Sequence, residues 1–548
     1  MKRCPECGRE YDNTMMFCLD DGAELLYGPA KSEPPASAGG QFDEPATAIL
    51  SKRGAPMGVG TGFRDGDGTT EIFQNSNRAS IETSNSIAVL PFANLSADVE
   101  NEYFCDGLAE ELLNALARIE GLKVAARTSA FSFKGKNKII SEIGTALNVN
   151  TVLEGSVRKS GNRLRITAQL VNAADGYHLW SERYDREMRD IFDVQDEITL
   201  AVVDVLKVKL LGEVAQIEPP TTDTVAYELY LKGRSLLYQR GLSIAKAIDC
   251  FKQAVALDSE YAQAWAGLAD GYTTYGYSGY KRATEVMPLA MEAARKSIEL
   301  GPDLAEGHNA FACATMLYDF DYDLAEREFL RALELNPNYL QARAWYALFL
   351  LQWISARHAE AREEVERMLE ADPLSGYANV IACFSCISSD RISEAVEYGR
   401  LGVELDNKSY LALWSYSAAL SCDKQYDEAV AVAERALAIS GRHSWAMMTL
   451  ASIYAASGDP DRARAVFREL DARSTSEYIQ PAMLTTTAAA AGEIDRAITF
   501  AQQALDDKDP LFVVLVRTWR DYDNIRTDSR FLEIVSQLGL PGWHTNAE

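Results

Sequence analysis

The sequence lacks a recognisable signal peptide, a membrane-spanning apolar stretch and an excess of basic residues. Its 548 residues include 80 Asp or Glu but only 54 Lys or Arg, for a net charge of -26. This balance disfavours nucleic acid or anionic lipid as a broad partner surface. The most apolar stretch, 346–354, is much shorter than the roughly 18 residues that span a bilayer. The start MKRCPECGREYDN has no apolar signal-peptide core.

Cysteine usage points to a reducing compartment. Nine cysteines are present without a disulfide-like framework, and three of them cluster near the N-terminus at a metal-like spacing. Together with the missing signal peptide and the missing membrane span, this pattern predicts a cytoplasmic protein.

Catalytic motifs are missing as well. No nucleophile elbow, catalytic His and Cys pairing or carboxylate dyad can be identified, and GVGTG at 58–62 lacks the flanking strand and helix of a phosphate loop. His178 lies in a predicted strand, where a single His is expected to be an ordinary surface or hydrogen-bonded residue. Cys105 has no basic neighbour in sequence to lower its pKa, so a buried thiol is expected. We predict that the protein is not an enzyme.

The N-terminal segment, 1–27, has the spacing of a small metal site. Cys4 and Cys7 form a C-x2-C pair, and Cys18 and Asp21 lie together in FCLDDG. Thiolates and a carboxylate suit tetrahedral zinc, and a segment this short needs the metal to fold. The pattern resembles zinc-ribbon knuckles at the start of bacterial signalling proteins. The site is predicted to be structural, with Asp20 as the alternative to Asp21.

The segment 28–85 is predicted to be a disordered linker. It is rich in Gly, Pro, Ser, Ala and Thr and has little apolar periodicity, so it cannot bury enough surface to offset its ordering entropy. Within EPATAIL, Thr47 stands in an acidic setting, which leaves open a phosphorylation site alongside the reading as plain linker.

The segment 86–210 is predicted to be an α+β domain of order βαβαβββα. The strands are predicted at SIAVLPF, LKVAA, TVLEGSVRK, NRLRITAQLV and YHLWSERYD. Asp106 and Gly107 have the character of a helix start, with Glu110 and Glu111 favouring the dipole of the first turn. The last helix places apolar side chains on one face at Ile191, Val194, Ile198 and Val202.

The strings SIAVLPFANLSADVENEYFCDGLAEELLNALARIEGLKVAARTSAFSFKG and LEGSVRKSGNRLRITAQLVNAADGYHLWSERYDRE carry a family resemblance. They resemble the TolB N-terminal-like domain of bacterial adenylate-cyclase-associated and CadC-like regulatory proteins. The resemblance implies an α+β module between an N-terminal effector and C-terminal tetratricopeptide repeats. Because only a predicted knuckle precedes the domain here, the resemblance does not imply cyclase, kinase or DNA-binding activity.

From 222 to 540 the sequence repeats with a period near 34 residues, which is the period of tetratricopeptide repeats. Alanines mark one column of the predicted second helices: Ala247, Ala290, Ala325, Ala361, Ala395, Ala429, Ala463 and Ala497. Small residues mark an equivalent column in the first helices: Ala269, Ala312, Ala347, Cys383, Ser417, Ala451 and Thr485. Small side chains let stacked helices approach closely, so an all-α solenoid with a C-terminal cap is predicted.

The same register explains two features that spacing alone would leave open. Cys383 and Cys386 form a second C-x2-C, but Cys383 falls in the small-residue column, so both are predicted to pack in the core. Helix ends are predicted at Pro302, Pro337, Pro373, Asn407 and Gly441.

The predicted function is a non-enzymatic scaffold or regulatory protein of a bacterial signalling system that holds a protein partner on the repeat surface. A chaperone-adaptor role is disfavoured because the positions of a carboxylate clamp hold Gln263, Ala266, Asp270, Glu306 and Asn309. A longer interval contains Tyr272, Tyr275, Tyr277 and Tyr280, predicted to form an extended, self-packed turn rather than a binding edge. The alternative is a transcription-linked or nucleic-acid-associated regulator that uses the knuckle.

Overall fold

A computed structural model describes residues 2–3, 10–11, 85–98, 101–117, 119, 121–136, 138–206 and 221–543. The chain divides into two compact units, Met1–Arg78 and Ala79–Glu548. In the first unit, strands β1 (Lys2–Arg3) and β2 (Glu10–Tyr11) pair antiparallel. The following predicted sites lie outside the described residues: Cys4, Cys7, Cys18, Asp20, Asp21 and Thr47.

The second unit begins with a mixed sheet and four helices. Its strands are β3 (Ser86–Val89), β4 (Ala93–Asn94), β5 (Lys123–Val124), β6 (Thr151–Ser160), β7 (Arg163–Asn172) and β8 (His178–Glu187). Its helices are α1 (Glu102–Ala117), α2 (Arg127–Phe131), α3 (Ile140–Leu147) and α4 (Ile191–Leu206). The strand order is β5-β3-β6-β7-β8, with the short β4 also pairing with β6. The elements expected from the sequence are present, and β4 and α2 are additional.

The sheet separates two layers of helices. Successive residues of a strand point to opposite faces, and along β3 Ile87 and Val89 join the core with α1 and α4, while Ala88 joins the core with α2 and α3. The predicted apolar face of α4 is confirmed, because each of its four residues is fully buried: Ile191, Val194, Ile198 and Val202. The β6–β7 hairpin turns at Gly161, whose φ of 56° suits a two-residue turn.

The predicted start of the first helix was wrong. Helix α1 begins at Glu102, so Asp106 and Gly107 lie inside it rather than at its N-terminus. Glu110 and Glu111 are therefore too far along the helix to act on the dipole of the first turn. Glu110 is instead buried, with only 7% of its surface exposed, and its carboxylate serves in ion pairs described below.

The rest of the described chain consists of eight helix pairs and a cap. The pairs are α5 (Thr224–Gln239) with α6 (Ser243–Leu257), α7 (Ala262–Tyr277) with α8 (Ala283–Leu300), α9 (Ala305–Ala314) with α10 (Tyr322–Leu335), α11 (Leu340–Ala344) with α12 (His358–Ala371), α13 (Gly376–Ser388) with α14 (Ile392–Leu405), α15 (Tyr410–Cys422) with α16 (Tyr426–Ile439), α17 (Ser444–Ala456) with α18 (Pro460–Arg473), and α19 (Pro481–Ala490) with α20 (Ile494–Asp506). Two π-helical segments, Thr315–Asp319 and Trp345–Ile354, continue α9 and α11. The cap contains α21 (Pro510–Leu515) and α22 (Ser529–Ser536).

The predicted repeat register is confirmed. All eight alanines of the second-helix column and all seven small residues of the first-helix column have no exposed surface. Each predicted terminator follows the end of its helix by two residues; α8, for example, ends at Leu300 before Pro302. Because the columns lie where neighbouring helices touch, the spacing of small residues sets the stacking of the solenoid.

The α+β region and the first repeats share one core. The apolar cluster beneath α1 and α4 continues into α5, α6 and α7. At the contact between α1 and α5, a Cβ atom added to Gly107 would lie 2.7 Å from a methyl carbon of Leu231, so only glycine allows this approach. Among the helices of the described ranges, none is both long and apolar enough to cross a membrane.

Candidate binding surface

The inner face of the solenoid is defined by contacts between helices of non-adjacent repeats. The ring of Tyr277, at the end of α7, lies 5.3 Å from the ring of Trp345 and 5.5 Å from that of Phe349. It also lies 5.1 Å from the ring of Trp445 in α17. Residues of the second, fourth and seventh helix pairs therefore meet in the interior of the curved array.

These rings belong to a larger aromatic set, which we call the inner cluster: Tyr277, Trp345, Phe349, Trp414 and Trp445. Trp345 stacks on Phe349 at 4.3 Å, and Trp414 lies 5.3 Å from Trp445. Every member has at most 7% of its surface exposed. Because its members are buried against one another, the inner cluster is part of the core and not a vacant groove. Each aromatic pair adds about 0.5–1.5 kcal/mol beyond its buried area.

The tyrosine-rich insertion forms the bridge to this cluster. Most of it is helical, since Tyr272, Tyr275 and Tyr277 lie in α7, and the prediction of an extended turn was wrong for these three. Its tip is nevertheless self-packed, as predicted, because Tyr280 stacks on Tyr275 at 5.6 Å and lies 5.1 Å from the ring of His443.

Polar contacts secure the same bridge. The Gln480 side-chain amide donates to the carbonyl oxygens of Gly276 and Tyr277, at 3.3 and 3.2 Å. Beyond the tip, Arg282 pairs with Asp507 at 3.0 Å. The insertion thus joins the second helix pair to the last one across the interior.

A second part of the inner face has a different character. We call it the open patch and define it as Arg240, Asp270, Tyr339, Tyr377 and Tyr410. Each of these side chains keeps intermediate exposure to solvent. Within the described part of the chain, the three tyrosine hydroxyls and the Asp270 carboxylate have no hydrogen-bond partner, while polar atoms in a packed core are normally paired.

Charge connects the members of the open patch. Burial raises the pKa of Tyr377 to about 12 and that of Asp270 to about 7, and it raises the pKa of Tyr410 well above its ordinary value. The positive charge of the Arg240 guanidinium lowers all three pKa values and so opposes part of this rise. Asp270 in turn raises the pKa of Tyr339 further. The groups therefore lie within electrostatic range of one another, and each remains partly exposed to solvent.

Arg240 is held in a costly backbone conformation. Its φ of 60° and ψ of -166° fall in a region that essentially only glycine populates, at a cost of about 1–3 kcal/mol. Its guanidinium donates to the Thr274 hydroxyl at 3.3 Å, and no carboxylate of the described ranges lies within ion-pairing distance of it. An arginine in this setting can donate to an acceptor from outside the chain.

The positions compared with a carboxylate clamp differ in burial, and only Asp270 belongs to the open patch. Ala266 and Asn309 are buried, whereas Gln263, Asp270 and Glu306 keep partial exposure. The donors of the open patch, Arg240 and the tyrosines, were not identified from the sequence. Arg240 precedes Gly241 in a turn, and a positive φ at a non-glycine residue has no sequence signal.

Two further residues singled out from the sequence, His178 and Cys105, differ in exposure. His178 is exposed on β8. Cys105 is fully buried, and desolvation with the nearby Glu102 and Asp106 raises its pKa to about 12.

The second C-x2-C is also part of the core. Cys383 and Cys386 are buried beside Ala395 and Ala419, and burial raises both thiol pKa values, that of Cys386 to about 11. Neither thiol has the character of a nucleophile, because a reactive cysteine needs a lowered pKa.

Comparison with known proteins agrees with the repeat architecture. Two models of tetratricopeptide repeats match residues 319–375 and 423–486. A model described as the second domain of HilA/YgeH-like transcriptional regulators matches residues 83–201, the segment for which the sequence suggested a TolB-like resemblance. The C-terminal part of this chain is therefore a tetratricopeptide solenoid, preceded by a sheet-containing region similar to the second domain of HilA/YgeH-like transcriptional regulators.

One curated relative is a Rhizobium meliloti (strain 1021) protein named putative adenylate cyclase 3. It is 40% identical over 233 residues, which are 42% of this chain and 40% of the relative, so the chain spans about two fifths of that relative's length.

Similar solved structures share low sequence identity. A tetratricopeptide repeat protein from Parabacteroides merdae is 14% identical, with 48% of this chain and 99% of that chain covered and a TM-score of 0.34. Yeast Tom70 is 16% identical, with 57% of this chain and 67% of that chain covered and a TM-score of 0.35.

Proposed function

We propose that the protein is a non-enzymatic scaffold of a bacterial signalling system, and that it holds a protein partner on the open patch. The observation that carries the proposal is the solvent access of the open patch: its polar groups without a partner in the described ranges are partly exposed, whereas the unpaired indole N–H groups of Trp345 and Trp414 in the inner cluster are buried. Arg240 and the hydroxyls of Tyr377 and Tyr410 can donate to backbone carbonyls or carboxylates of a partner. The activity named for the Rhizobium meliloti relative is not part of this proposal.

The proposal is tested by purifying partners with the full chain in two variants. Arg240→Gln removes the charge at the open patch, whereas Arg435→Gln removes an exposed arginine on the outer helix α16 and serves as the control. We expect a partner that is retained by wild type and by Arg435→Gln but depleted at least tenfold by Arg240→Gln. Equal recovery by all three proteins would contradict a partner at the open patch.

We also propose a structural zinc ion on Cys4, Cys7, Cys18 and Asp21, with Asp20 as the alternative fourth ligand. The pairing of β1 with β2 supports it, because the first C-x2-C lies in the connection between these strands. The ion would supply folding energy to the N-terminal segment. Metal analysis of purified wild type and Cys4→Ser should show zinc only in wild type, and equal zinc in both would contradict the site.

A transcription-linked role is the second candidate, supported by the match of residues 83–201 to a domain of transcriptional regulators. The net charge of -26 argues against it, since nucleic acid binding depends on basic contacts to phosphates. Retention of the full chain on heparin at low salt would favour this candidate. Passage without retention would contradict it.

A further inference from the structure

A short helix of the α+β region touches the solenoid at two separated places. At the first, Arg127 of α2 pairs with Glu110 at 2.9 Å, and its guanidinium lies 4.2 Å from the ring centre of Tyr238 in α5. Glu110 also pairs with Arg234 and accepts from the Tyr238 hydroxyl at 3.1 Å. One buried carboxylate thus joins α1 and α2 to the first repeat.

At the second place, the next two residues of α2 reach a later repeat. The backbone N–H of Ser129 donates to the Asp372 carboxylate at 3.0 Å, and the hydroxyls of Thr128 and Ser129 donate to the same carboxylate. The backbone N–H of Leu374 donates to the Ser129 hydroxyl at 3.0 Å. Asp372, in the turn between α12 and α13, has no exposed surface.

The equivalent turn one repeat later shows that the repeat itself does not require this burial. Asp406 occupies the position of Asp372, is exposed, and accepts only from the backbone N–H groups of Lys408 and Ser409 in its own turn. Asp372 is thus distinguished by the docking of α2. A carboxylate that accepts several donors in a buried contact fixes the geometry of both partners.

Both contact points adjoin the open patch. Arg240 directly follows α5, the helix that holds Arg234 and Tyr238, and Tyr377 lies in the first turn of α13, just after Asp372 and Leu374. A fixed α2 therefore holds the end of α5 and the start of α13 in one arrangement.

We propose that α2 is a latch through which the α+β region sets the spacing between Arg240 and Tyr377. A contact or ligand that moves α2 releases the turn at Asp372 from the first repeat and loosens the start of α13. The latch is a property of the chain by itself. Its effect on partner binding rests on the function proposed above.

The latch is tested by hydrogen exchange of the full chain. Asp372→Ala removes the acceptor, Thr128→Val removes one donor while keeping the side-chain shape, and Asp406→Ala is the matched control. We expect Asp372→Ala to speed exchange of residues 127–131 and 374–380 by at least about tenfold, in line with loss of hydrogen bonds to a charged group. Thr128→Val should give a smaller acceleration at the same places.

The outcomes separate the two proposals. Unchanged exchange at 127–131 and 374–380 in folded Asp372→Ala and Thr128→Val, or an equal acceleration by Asp406→Ala, would overturn the latch. If the exchange changes as expected but Arg240→Gln loses no partner, the latch stands and the partner surface is wrong. If both hold, Asp372→Ala should weaken partner recovery several-fold with Arg240 intact.

Discussion

The inner cluster and the open patch lie on the same face of one solenoid, and both contain tyrosine. In the inner cluster the tyrosine is buried, whereas in the open patch the tyrosines are partly exposed. Tyr277 is 7% exposed and surrounded by three aromatic rings, whereas Tyr377 and Tyr410 keep more access to water. A tyrosine in the cluster contributes to stability through buried area and ring contacts. A tyrosine at the patch has unused polar capacity, which suits binding.

The largest expected effect comes from breaking the inner cluster. Tyr277→Ala removes three ring contacts and should lower the free energy of unfolding of the solenoid by about 3–5 kcal/mol, the usual cost of truncating a buried aromatic side chain. Urea titration followed by circular dichroism measures it. Tyr177→Ala, at a position that is 75% exposed, should change the value by less than about 0.5 kcal/mol, and similar losses in both would contradict the cluster.

The small-residue column gives the next effect, because stacking there depends on size alone. Ala429→Leu places a large side chain where no surface is exposed and should cost about 1–3 kcal/mol of unfolding free energy through overpacking. Ala431→Leu, on the exposed side of the same helix, is the control in the same urea titration. A loss at 431 equal to that at 429 would contradict the register.

At Arg240 in the open patch, loss of the side chain down to glycine is expected to stabilise the fold relative to alanine. Glycine relieves the backbone strain and alanine keeps it, so Arg240→Gly should be more stable than Arg240→Ala by about 1 kcal/mol in urea unfolding. Both variants should lose the partner, since both remove the guanidinium. Equal stability of the two would show that the backbone at 240 is unstrained.

The last expected effect concerns pH. Burial raises the folded-state pKa of Asp270 to about 7, above its unfolded value, so its contribution to stability is present at low pH and lost as pH rises through about 7. Asp270→Asn should therefore gain stability relative to wild type between pH 5 and pH 8. Thermal unfolding midpoints at both pH values measure the change, and a pH-independent difference would contradict the raised pKa.

The sequence predicts the solenoid well because the stacking of helices requires small residues at regular intervals along the chain. The spacing of Ala325, Ala361 and Ala395 reports contacts between neighbouring helices, and those contacts are what the structure contains. The start of α1 was predicted wrongly because Asp106 and Gly107 resemble a helix start locally, while their roles are set by tertiary contacts.

The inner face could be predicted only in part. The meeting of Tyr277 with Trp445 depends on the curvature accumulated over four intervening helix pairs, which no short spacing encodes. The contacts of Asp372 also involve a distant part of the chain, since its carboxylate accepts from Thr128 and Ser129 of α2.

The division of the inner face can be tested most directly by hydroxyl-radical footprinting of the full chain, read by mass spectrometry. We expect Tyr377 and Tyr410 to be oxidised and the inner-cluster tryptophans Trp345, Trp414 and Trp445 to be protected, although indole is intrinsically the more reactive ring. A bound partner should then protect the two tyrosines. Oxidation of the three tryptophans as fast as Tyr377 and Tyr410 would contradict the account.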